Sequence, residues 1–196
     1  RYVWNMACEI LQDWDARGID WLPISVNVSR ADIYHADIAE ILLEAVTQHG
    51  LPPERLHLEI TESAYTESPQ QIIDTIEHLQ KLGFVIEMDD FGSGYSSLNM
   101  LDKLPVDILK LDLKFIQNDM GSTSGGGILQ FIMLLARWKE LSVVAEGVET
   151  KEQLDRLQQI GCDCAQGYYL AKPMPVKKFE ALLARLQNSG DCAAGK

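Results

Sequence analysis

Two hydrophobic periods alternate along the chain. Six short runs have strand character: "LPISVNVS", "LHLEITES", "FVIEMDDFG", "VDILKLDL", "SVVAEGVE" and "QGYYLAKP". Between them lie longer stretches whose apolar residues recur three and four apart, the spacing that puts a single stripe on a helix. Residues 1–14 place Val3, Ala7, Ile10, Leu11 and Trp14 on one face, and residues 36–50 do the same with Ile38, Ile41, Leu42, Ala45 and Val46. The same spacing predicts helices over 68–83, 126–141, 150–161 and 176–187. Ser68 before Pro69 and Thr150 are suitable starts, and Gly50 and Gly83 are suitable stops.

Strands that alternate with helices predict a parallel sheet. An open doubly wound sheet and a (β/α)8 barrel both satisfy the pattern. The polar strand ends separate them: Asn27, then Glu59 and Glu62, Asp89 and Asp90, Lys110 and Asp112, Glu146 and Glu149, and Gln166. In an open sheet mainly the strands beside the switch point face a ligand, whereas in a barrel every strand delivers its carboxyl end to one mouth. The expected fold is therefore α/β, a TIM-type (β/α)8 barrel. A complete barrel takes about 250 residues and eight strands. Six strands in 196 residues predict an incomplete one, with the first two strands missing. We expect one domain over 1–187 and a disordered tail over 188–196.

Composition narrows the function. With 46% hydrophobic residues the chain can build a core, and its net charge of −12 without a basic run argues against long nucleic acid as a partner. No run reaches the roughly 18 apolar residues of a membrane span, and no charged-then-apolar leader opens the chain. A cytoplasmic location is expected, with any membrane anchor lying upstream. Cys8, Cys162, Cys164 and Cys192 lack zinc-pair spacing and read as reduced thiols.

The acids at the strand ends carry the chemistry. Several carboxylates at one mouth cannot all stay ionised without cations. Glu59, Asp89, Asp90 and Glu146, with the amide oxygen of Asn27, form an oxygen-only donor set, which suits Mg²⁺, Mn²⁺ or Ca²⁺. Two ions about 3.5–4 Å apart need a bridging carboxylate and a second beside it, and adjacent Asp89 and Asp90 supply both. Asp90 alone would read as an N-cap or Asx-turn; "LEITE", "LKLD" and "AEG" on neighbouring strands favour the metal reading. Lys110 is a charge-balancing partner, a group that steadies the attacking water, or both. Glu146 is a ligand and a candidate general base. Glu62 is placed to hold the Gly/Ser loop "FGSGYSSL", and "GSTSGGG" at 121–127 reads as a linker.

Taken in order, "SVNVS", "LEITES", "DDFGSGYSSL", "LPVDILKLD", "VVAEGVET" and "QGYYLAKPMP" resemble the EAL-domain family of cyclic di-GMP phosphodiesterases, over about residues 1–186. The resemblance implies a TIM-type barrel, Mg²⁺ or Mn²⁺ in a two-metal site, and hydrolysis of cyclic di-GMP to linear pGpG in bacterial signalling. It implies metal ligation by Asn27, Glu59 and Asp89 and, at the second ion, by Asp90 and Glu146. Glu146 is again the general base, Lys110 stands near the nucleophilic water, Gln166 lines the site and Glu62 anchors the loop. Asp112 and Tyr168 are placed near the guanine pocket. A homodimer and upstream sensor or GGDEF domains are also implied. "ILQFIMLLARW" is read as core, although it could serve the dimer. The Glu-Ala-Leu strand that names the family is not among these residues, so weak or no activity is expected of this chain by itself. "EALLARL" at 180–186 has the letters but lies on a helix with Phe179, Leu182 and Leu183 as its core face, and is not the catalytic motif. Ser93 stands where Thr is usual, and "DLKF" departs from a basic-Ser-Phe pattern. The alternative functions are an impaired EAL domain acting as a cyclic di-GMP receptor or protein-interaction module, and an unrelated metal-dependent barrel enzyme.

Overall fold

The structure, a computed structural model, describes residues 1–19, 21–35, 37–61, 69–91, 103–112 and 127–189. Helix α1 (Tyr2–Ala16) leads into strand β1 (Ile24–Asn27), followed by the short helix α2 (Arg30–Ile33) and by α3 (Ile38–Gln48). Strand β2 (Leu56–Thr61), helix α4 (Pro69–Lys81), strands β3 (Ile86–Phe91) and β4 (Ile108–Leu111) and helix α5 (Ile128–Trp138) come next. Strand β5 (Ser142–Ala145), helix α6 (Lys151–Ile160), strand β6 (Cys164–Ala165) and helix α7 (Val176–Ser189) complete the described elements.

All strand pairs are parallel, and the strand order is the chain order, β1 to β6. A doubly wound sheet reverses its order at a switch point; this sheet never does. Same-handed crossovers then put every helix on one face and leave the other face as a lumen, as in a barrel. The fold is an incomplete (β/α)8 barrel.

Burial follows from this geometry. In β2, Leu56, Leu58 and Ile60 are buried toward the helices, and His57, Glu59 and Thr61, on the opposite side of the pleat, are half-buried in the lumen. The outer core joins these residues to Ile86, Met88, Leu109, Val143 and Ala145 from the strands and to Leu11, Leu42, Ile72, Ile76 and Met133 from the helices. Burying each Leu or Ile contributes about 1.5–3 kcal/mol.

Two expectations need correction. Val3 is 57% exposed; the buried face of α1 runs through Trp4, Ala7, Cys8, Leu11 and Trp14. The helix is phased by Trp4, whose indole N–H donates to the Asn27 carbonyl at 3.1 Å. The sixth strand is Cys164–Ala165, not 166–173. Tyr168, Tyr169 and Leu170 are all exposed, so they lack the alternation of a strand, and the amides of Leu170 and Ala171 turn back to the Gly167 carbonyl. The first strand ends at Asn27, as expected, and Ser29 then caps α2 in a capping box with Asp32. Glu62, Ser68, the loop at 92–98, "GSTSGG" at 121–126 and the last residues, 190–196, lie outside the described residues.

Candidate active site

The lumen cluster is built at the carboxyl ends of the strands. Lys110 on β4 is 6% exposed. Its Nζ stands 2.7 Å from Glu59 Oε1 on β2, 2.8 Å from Glu146 Oε1 just past β5, and 3.3 Å from Asp89 Oδ1 on β3. Four strands that share no local sequence thus deliver one cation and three acids to one point.

A β-bulge accounts for the adjacent aspartates. Met88 pairs with Leu109 and Phe91 with Leu111, so Asp89 and Asp90 together face the single residue Lys110. The extra residue is accommodated by Asp90 in the left-handed region, φ 57°, which Asp tolerates better than most side chains. The Asp90 amide donates to Asp89 Oδ1 at 3.0 Å, which braces the bulge. Asp89 lies inside the cluster and Asp90 is exposed at its rim.

The electrostatics are those of acids outnumbering bases. Burial by itself lowers the Lys110 pKa, but hydrogen bonds to Glu146 and Glu59 outweigh it and hold the ammonium above the ordinary lysine range. An isolated ion pair would lower the pKa of its acid. Glu146 instead moves up: burial is the largest cause, the Lys110 hydrogen bond opposes it, and the charges of Asp89 and Glu59 add to it.

The donor set fits a hard divalent cation in type and in charge. Three carboxylates against one ammonium leave two negative charges uncompensated. The nearest contact of each acid to the ammonium is made through a single carboxylate oxygen. Among the described residues, no group of three His, Cys, Asp or Glu side chains forms a ready-made metal cage, because the acids converge on Lys110.

The remaining candidates are dispersed around this centre. Asn27 ends β1 level with Glu59 and is exposed, its carbonyl tied down by Trp4. Asp112 follows β4 and is half-buried. Gln166 follows β6, with its amide bonded to the Ala145 carbonyl at 2.8 Å. Gln166 and Tyr168 line a cleft of about 350 Å³ with Lys172, Pro173 and Met174, and the Lys172 ammonium lies 5.7 Å from the Tyr168 ring centre. Glu62 lies outside the described residues.

Sequence reasoning missed two supports. Gly167 packs so closely on the Val148 backbone that a Cβ there would stand 2.2 Å from its N and O. Hydrogen bonds from Val148 N to Gln166 O and from Tyr169 N to Val148 O zip the two loops together beside Glu146. The second support is the trio Ser25, His57 and Glu87, whose only sequence signal was an acid inside the apolar run "FVIEM". The lookalike Glu180 has a structural place, accepting from Trp14 Nε1 at 3.0 Å and from Arg17, and so pins α7 to α1.

Comparison with known proteins agrees with this architecture. The chain is 37% identical over 184 residues to the bifunctional diguanylate cyclase/cyclic di-GMP phosphodiesterase MucR of Pseudomonas aeruginosa, covering 93% of this chain and 27% of MucR. It is 37% identical over 182 residues to the cyclic di-GMP phosphodiesterase NbdA of the same organism, covering 93% of this chain and 23% of NbdA. Among solved structures, one described as "PaMucR Phosphodiesterase, c-di-GMP complex" superposes with a TM-score of 0.83 at 36% identity, covering 91% of this chain and 72% of that one. The chain spans about a quarter of the length of the curated relatives it matches. The EAL domain matches residues 1–173, and the chain belongs to the EAL domain family.

Proposed function

We propose that this chain contributes the catalytic barrel of a metal-dependent phosphodiesterase that hydrolyses cyclic di-GMP to linear pGpG. The observation that carries the reading is the convergence of Glu59, Asp89 and Glu146 on Lys110 at the strand carboxyl ends, in a family whose relatives are named as cyclic di-GMP phosphodiesterases. Asn27, Glu59, Asp89, Asp90 and Glu146 would hold two Mg²⁺ or Mn²⁺ ions, which when bound polarise the phosphodiester and acidify water.

The chain's own groups do the rest. Glu146, with its carboxyl pKa raised chiefly by burial, is suited to take the proton of the attacking water. The Lys110 ammonium, fixed by Glu59 and Glu146, orients that water and faces the phosphoryl oxygens. Gln166, Tyr168 and Asp112 flank the substrate, and Glu62 orders the loop after β3.

The reading places the protein in the cytoplasm, where sensor or GGDEF domains of the same polypeptide would regulate it. It also includes a homodimer through α5, whose outer face exposes Phe131, Leu134 and Trp138 while Leu129, Ile132 and Met133 face the core. The test is turnover of cyclic di-GMP by the full-length protein with Mg²⁺ or Mn²⁺. Glu146→Gln is expected to lower turnover at least about 100-fold, in the range of a lost general base, with cyclic di-GMP binding retained. Binding without turnover in the wild type would favour a receptor instead.

A further inference from the structure

Beneath the candidate ligands lies a second polar layer. Glu87 on β3 is 5% exposed, and one of its oxygens, Oε1, receives two hydrogen bonds. Ser25 Oγ on β1 donates at 3.1 Å and His57 Nδ1 on β2 stands at 2.6 Å. A carboxylate only accepts, so the imidazole donates from Nδ1. Each member lies two positions before a candidate ligand on its own strand: Ser25 before Asn27, His57 before Glu59, Glu87 before Asp89. A spacing of two keeps both residues on the lumen side of the pleat.

A buried carboxylate is costly to keep, and the outer core does not use this one. Its place suggests its task. The β3–β4 register breaks immediately after Met88, so Asp89 has no regular backbone partner on the β4 side and is paired only with Thr61 of β2. Glu87 is the last lumen side chain before the break, and it is tied laterally to both preceding strands. We propose that Ser25, His57 and Glu87 are positioning residues, a cross-strand tie that sets where Asn27, Glu59 and Asp89 stand around Lys110. The importance of those three residues rests on the phosphodiesterase reading; the tie itself is testable without it.

The experiment follows the Lys110 side-chain ammonium by NMR in the chain labelled with ¹⁵N-lysine, alongside a Mn²⁺ titration. In the wild type the buried ammonium is expected to give a resolved signal. Glu87→Ala is expected to shift or broaden it away and to weaken Mn²⁺ binding about 10–100-fold, as loss of outer-shell partners does. Glu87→Gln, whose amide oxygen still accepts both hydrogen bonds, is expected to restore the signal. Ile72→Ala, in the outer core, lowers stability without touching the lumen and should leave the signal in place. If Glu87→Ala fails to fold, Ser25→Ala removes one arm of the tie and must move the signal in its stead. The proposal is overturned if the Lys110 signal ignores these lumen substitutions, if Glu87→Gln does not rescue it, or if Ile72→Ala moves it equally. A wild-type chain that takes up no Mn²⁺ while Lys110 responds as stated would leave the tie standing and sink the divalent-ion reading instead.

Discussion

Replacing Lys110 with Met roughly keeps the apolar stem and removes the ammonium, its charge and its N–H donors together. In the wild type the ammonium has three carboxylate oxygens within 3.3 Å. At an effective dielectric constant of about 20, each contact is worth about 5–6 kcal/mol of attraction before desolvation. Burial of the ions cancels most of this, and deleting one partner of such a cluster leaves a net cost of about 3–5 kcal/mol. The abandoned acids then repel one another by about 3 kcal/mol per pair at a separation of about 5 Å, which adds to the burial and charge repulsion that already raise the Glu146 pKa. A carboxylate whose folded pKa lies above its unfolded value favours folding at low pH and loses that advantage as pH rises through the folded pKa. The Lys110→Met deficit should therefore be largest at pH 7–8 and shrink toward pH 5. Wild-type Lys110, with its own pKa raised, supports folding fully at and below the ordinary lysine range and ceases to only in strong alkali. Urea unfolding by circular dichroism in EDTA at pH 5, 7 and 8 measures the deficit, and repeating it with Mn²⁺ should recover part of it. A deficit under about 1 kcal/mol at pH 8, the size of an exposed ion pair, or one that is flat from pH 5 to 8, would refute the view that Lys110 neutralises a converging cluster.

Gly167→Ala forces a Cβ to 2.2 Å from the Val148 backbone, so it should cost about 1–3 kcal/mol as an overpacked contact; turnover of the folded fraction should also fall, because the displaced strap carries Glu146. Glu180→Ala should lower the melting temperature without changing turnover, since that carboxylate only joins α7 to α1. Its carboxyl is held below the usual range by the Arg17 hydrogen bond first and the Trp14 hydrogen bond second, so the deficit should be present at neutral pH and vanish as pH falls through the folded pKa. Leu134→Lys, on the exposed face of α5, should yield a monomer in sedimentation velocity with unchanged circular dichroism if that face joins two copies.

How much of this was legible beforehand differs from element to element, and the reasons are physical. β2 was readable outright: "LHLEIT" alternates, and the structure buries Leu56, Leu58 and Ile60 and turns Glu59 inward as a strand must. The barrel was readable because polar residues ended every strand, a feature of long-range order that survives in a linear pattern. The phase of α1 was not readable. Val3 and Trp4 are adjacent apolar residues, and the choice between them is made by a hydrogen bond to Asn27, 23 residues away. Nor was the end of the sixth strand, where "YYL" has β propensity but no face to bury. The aspartate pair marks the boundary between the two kinds of information. The sequence places two acids where two are wanted, but a regular strand would have turned one of them away. Only the bulge, a register shift against β4 with Asp90 at positive φ, sets both opposite Lys110. The chemistry of the site is thus written in residue types, while its geometry comes from the pairing of strands, and a change that leaves every candidate ligand intact but closes the bulge should silence the site as completely as loss of Asp89.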